Sequence, residues 1–85
     1  MPTPDSRIAR AFIRAALRSK ESHVRQTARA ICRTVRTYDP NEYGRTKPLT
    51  RADETANISD RAAIDLAARI TGALCWRDAR QDRLC

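Results

Sequence analysis

Apolar and polar side chains follow a helical period over most of this chain, and the pattern breaks near its middle. From Ser6 to about Ser19 there is no glycine or proline, and alanine and arginine, both strong helix formers, dominate. Pro2 and Pro4 stand ahead of it, so residues 1–5 read as a flexible lead-in, with Asp5 or Ser6 as the helix cap. A second helical pattern runs from about Ser22 to Thr37. Its apolar positions Val24, Ala28, Ile31, Val35 and Tyr38 step by four, three, four and three, a heptad-like seam. Lys20, Glu21 and Ser22 fit a short turn with Ser22 as the next cap, and they also fit the middle of one helix. The length of a single helix over residues 6–38 favours the break. Residues 33–38 alternate weakly with period two without making a convincing strand.

Residues 39–48 read as a loop, with Asp39-Pro40, Asn41, Gly44 and a closing Pro48. Thr50 to Asp53 resembles the start of a short helical turn capped by Thr50, with acids in its first turn. Ser59 then caps a long final helix, and Ile58 before it is placed to pack on Ala63. Ala63, Leu66, Ala67, Ile70 and Leu74 supply the inward stripe, while Arg61, Asp65 and Arg69 form a charged row opposite. Past Trp76 the sequence turns polar and is expected to fray. The pattern predicts an all-α fold: a small three-helix domain, four with the short turn near Thr50, ending in a long C-terminal helix.

A chain of 85 residues has room for one domain, here a basic half over 6–38, the loop 39–48 and a second half over 49–85. Apolar residues make up 41% of it, which fits a folded protein, but fourteen of them are alanine. The large core candidates are Ile8, Phe12, Ile13, Leu17, Val24, Ile31, Val35, Tyr38, Leu49, Ile58, Ile64, Leu66, Ile70, Leu74 and Trp76. A core of that size supplies roughly 3–5 kcal/mol, so either a homo-oligomer or ordering on a partner is expected. No run approaches the ~18 apolar residues of a membrane span, and no apolar block after the N-terminus forms a secretory signal. The arginine-rich start shares features with a mitochondrial presequence, but Asp5 comes early and the helical pattern continues too far. Cys32, Cys75 and Cys85 are an odd, widely spaced set, which points to a reducing cytoplasm, with Cys32 and Cys75 as small core fillers and Cys85 exposed.

Charge changes the picture most. Residues 1–38 carry nine basic side chains against Asp5 and Glu21, a net +7, whereas residues 39–85 carry eight of each sign. On a helix of about 100° per residue, Arg7, Arg10, Arg14, Arg18, Arg25, Arg29, Arg33 and Arg36 share one sector of roughly 140°. Ile13, Leu17, Val24, Ile31 and Val35 gather on the other side. A surface helix normally mixes both signs, as the second half of this chain does. A polyanionic or acidic partner is the natural counterpart. Nucleic acid held through its phosphates is the leading expectation, salt-sensitive and weakly sequence-selective. The alternative is an inhibitor or adaptor encoded by a phage or mobile element, such as an anti-CRISPR or other anti-host factor, gripping an acidic surface of a host protein.

Other chemistry finds little footing. Ala56 to Ile64 faintly echoes a helix-turn-helix, but Asp53 stands where a small apolar residue packs, and Asp60 and Asp65 would repel phosphate. His23 with the three cysteines matches zinc in ligand number only, without a short Cys-x2-Cys spacing. The single histidine has no nucleophile at motif spacing, and there is no glycine-rich phosphate loop, so neither an enzyme nor a cofactor or metal is expected. An interfacial membrane helix inserting Ile8, Phe12, Ile13 and Leu17 lacks the usual aromatic and lysine enrichment.

Overall fold

A proline opens the first helix. In the computed structural model, which describes residues 4–82, α1 spans Pro4–Leu17. It therefore starts inside the expected lead-in, whose residues 1–3 lie outside the described residues. Proline suits a first helical turn because the N–H it lacks has no acceptor there. Asp5 in the first turn and Arg14 in the last both complement the helix dipole. Ser6, Ala9, Ile13, Ala16 and Leu17 form the buried stripe. Ile8 does not belong to the core: it lies about 140° round the helix from Ile13 by the helical step, and it is 69% exposed.

The chain breaks after α1, as the turn at residues 20–22 predicts. Arg18 and Ser19 donate their backbone N–H groups to the Arg14 and Ala16 carbonyls, and Ser19 Oγ accepts from Glu21 N–H. The second helix, α2, spans Ser22–Cys32. Glu21 rather than Ser22 occupies its cap position, without a side-chain cap bond. Ala28 and Cys32 are buried, with Val24 and Ile31 packed against the core.

The helical seam then fails before Thr37, and the all-α expectation needs correcting. Val35 N–H closes a turn onto the Cys32 carbonyl, and β1 (Arg36–Tyr38) pairs antiparallel with β2 (Thr46–Pro48). The register sets Arg36 opposite Pro48, Thr37 opposite Lys47 and Tyr38 opposite Thr46. The fold is thus mostly helical with a small two-stranded hairpin. Thr34, Val35, Thr37 and Tyr38 are β-branched or aromatic, and such residues favour strand once a turn is available to pair it. The turn is built by Asp39, whose N–H donates to the Arg45 carbonyl and whose carboxylate accepts from Asn41 N–H, each at 2.9 Å. At its tip Tyr43 and Gly44 both take left-handed backbone angles, φ 52° and 83°. Glycine adopts that region freely; a tyrosine there is strained.

Thr37 points inward between exposed Arg36 and Tyr38. Its buried hydroxyl donates to the carbonyls of Glu54 at 3.2 Å and Asn57 at 3.4 Å, tying the hairpin to the next element. That element is a 3-10 helix, Ala52–Asn57, preceded by the fully buried Leu49. Thr50 was the expected cap, but the acid does this work: Glu54 Oε1 accepts from the Thr50 and Arg51 N–H groups and from the Thr50 hydroxyl. Glu54 Oε2 lies 2.8 Å from Lys47 Nζ on β2.

The last helix, α3, spans Asp60–Asp82. Ser59 caps it as expected, its Oγ accepting from Ala62 N–H at 3.1 Å. Ala63, Leu66 and Ile70 are buried and Ala67 and Leu74 pack beside them, whereas Ile64 is 41% exposed and leaves the core. The helix continues past Trp76, where fraying was expected; the Trp76 side chain and Cys85 lie outside the described residues. Cys32 is a buried free thiol, while Cys75 is disulfide-bonded, which corrects its reading as a simple core filler. α1 packs on α3, α2 and the 3-10 helix. Buried Ala9, Ala16, Ala28 and Ala63 let these backbones approach closely, so the alanine-rich composition serves the packing.

Candidate polyanion-binding surface

The eight arginines of the basic half do not share one helix, because α1 ends at Leu17 and α2 at Cys32. They divide into two groups. Arg10 turns inward from α1: its guanidinium donates to the carbonyls of Thr55 at 3.1 Å and Ile58 at 2.6 Å and pairs with Asp60 at 2.8 Å. Its side chain is 14% exposed, so it is a strut between α1 and the start of α3. Arg14 is half-buried beside it, 3.4 Å from Thr55 Oγ1. Arg25 donates to the Ser19 carbonyl at 2.8 Å and closes the α1–α2 turn. Arg36 reaches across the hairpin to the carbonyl of Thr46 at 2.6 Å.

Arg7, Arg18, Arg29 and Arg33 form the second group. All four are exposed, and none pairs with a carboxylate among the described residues. Among the described residues, only Arg10 of the eight is neutralised by an acid of the second half. Folding therefore leaves most of the excess charge facing water.

Two shallow clefts border Arg7, Arg18 and Arg29. One, of about 550 Å³, runs along α1 past Pro4, Arg7, Ile8, Ala11 and the inward-turned Arg10 and Arg14. The other, of about 380 Å³, is lined by Leu17 and Arg18 at the end of α1, Arg29 of α2, and Thr50, Arg51, Ala52 and Asp53. Arg51 belongs to the charge-balanced half and carried no signal in the sequence; only the tertiary fold sets it beside Arg18 and Arg29. Its exposed guanidinium lies 3.6 Å from Asp53, a loose surface pair of the kind worth ~0–1 kcal/mol.

Other candidates resolve differently. Ile13 and Leu17 are core residues, so they are not a membrane-inserting face. No helix among the described residues is long and apolar enough to cross a membrane. The would-be helix-turn-helix is a 3-10 helix followed by extended Ile58, and Asp60 faces Arg10. His23 sits 3.5 Å from Glu21, and no group of three or more potential ligands gathers around a metal position among the described residues. Comparison of the chain with protein-family models, curated proteins and solved structures finds no match.

Proposed function

We propose that this protein binds nucleic acid without catalysis, through phosphate contacts from Arg7, Arg18, Arg29 and Arg33. The observation that carries the reading is that these guanidinium groups stay exposed and, among the described residues, pair with no carboxylate. Left alone, such a surface repels itself; phosphate neutralises it and releases counterions. Among the described residues the exposed aromatic side chains are Tyr38 and Tyr43, both on the hairpin, so sequence-tolerant phosphate contact fits better than base readout.

The test is fluorescence anisotropy with labelled duplex DNA and duplex RNA at two salt concentrations. Three or four phosphate contacts give a slope of about −2.7 to −3.6 in log affinity against log salt, a loss of roughly 40–150-fold between ~50 and ~200 mM. Arg29→Glu and Arg33→Glu are expected to abolish binding at the higher salt. Absence of wild-type binding at the lower salt would sink the proposal and leave an acidic protein surface as the counterpart.

A further inference from the structure

We propose that the cleft between Arg18, Arg29 and Arg51 seats one phosphate group of the bound nucleic acid, an assignment that rests on the reading above. The three cations come from three separate places in the chain: the residue just after α1, the last turn of α2 and the residue that enters the 3-10 helix. Arg18 and Arg29 make no ion pair or side-chain hydrogen bond among the described residues, so their donors are available. Leu17 and Ala52 are the apolar residues of its lining. The guanidinium fork suits phosphate oxygens better than a point charge does.

The one acid in the cleft, Asp53, is the internal competitor. It holds Arg51 loosely at 3.6 Å, with both side chains largely exposed. A phosphate offers more oxygens than this carboxylate and engages Arg18 and Arg29 together with Arg51. The larger cleft along α1 has no such arrangement, because Arg10 and Arg14 are turned toward Thr55 and Asp60, leaving Arg7 alone. One seat of this kind also fixes where the strand crosses the protein, between the two basic helices.

Binding of the duplex probe by full-length wild type, Arg29→Gln, Arg51→Gln, the double variant, Arg7→Gln/Arg51→Gln and Asp53→Asn tests this. These positions are exposed, and thermal melts confirm that each variant is folded. Arg29→Gln and Arg51→Gln are each expected to weaken binding about 5–10-fold, the scale of one charge-assisted contact. The double variant is expected to lose less than the product, with the salt slope falling by about one unit, because both residues serve one phosphate. Arg7→Gln/Arg51→Gln is expected to be multiplicative, and Asp53→Asn to bind a few-fold more tightly. Wild-type binding with a silent Arg51→Gln, or a multiplicative Arg29/Arg51 pair, overturns the cleft while leaving the wider surface intact. Failure of wild type to bind overturns both.

Discussion

Arg10 and Arg29 both came out of the same charge pattern, yet replacing each by methionine is expected to have opposite consequences. Methionine keeps the aliphatic stem of Arg10 and removes its guanidinium. Two carbonyls, those of Thr55 and Ile58, lose a charged donor, and Asp60 loses this ion pair. Hydrogen bonds from a charged group to a carbonyl in a half-buried site contribute about 1 kcal/mol each after exchange with water. The ion pair adds only ~0.5–1 kcal/mol, because Asp60 is 40% exposed and solvent screens it. The total is about 2.5–3 kcal/mol. With an m-value of roughly 1–1.5 kcal/mol/M for a chain of this size, the urea midpoint should fall by about 2 M. Arg29→Met, on an exposed position, should move stability by no more than ~0.5 kcal/mol. Urea unfolding followed by circular dichroism reads both. An Arg10→Met protein that unfolds at the wild-type midpoint would refute the strut and return Arg10 to the binding surface.

Glu54 links stability to acid. Burial pushes its carboxyl up, but Lys47 and the N–H groups of Thr50 and Arg51 outweigh this and hold it below the ordinary 4.5. A lowered folded-state value means the contribution is complete above the ordinary value and is lost as pH falls through the depressed one. Stability should therefore decline below about pH 4.5, and Glu54→Gln should flatten that decline, as thermal melts across pH would show. Burial raises the Cys32 thiol to about 11, so maleimide should label it only under unfolding conditions, read by peptide mass spectrometry. Tyr43→Asn should raise the melting point, by about 0.5–1 kcal/mol of stability, because asparagine tolerates φ 52° better. Ser59→Ala removes the α3 cap and should cost about 1 kcal/mol in urea unfolding.

The sequence pattern located the helices best where one face is strictly apolar. Ile13 and Leu17, or Leu66 and Ile70, recur at helical spacing, and the structure buries them. The break near residue 20 and the Ser59 cap were also legible, since both rest on local chemistry. The hairpin was not, because Val35 and Tyr38 fit the helical seam and the strand equally well. What decides between them is nonlocal: pairing with Thr46–Pro48 and the Thr37 hydroxyl bonding to Glu54 and Asn57. The same limit applies to the candidate surface. Periodicity groups eight arginines by angle, but whether a guanidinium meets water or Asp60 depends on what folds against it. Arg51 shows the converse, a residue with no local pattern that the tertiary fold brings to the cleft.

The Arg10 strut has a consequence for the order in which the molecule is made. Synthesis delivers the basic segment first, but the groups that lock it in place, Leu49, Thr55, Ile58, Asp60 and Ile70, all arrive later. Until the front of α3 has emerged, α1 has only α2 to close upon. The nascent segment is then a short polycation with its aliphatic stripe uncovered. Native structure sets in only when the last third of the chain returns to meet the first.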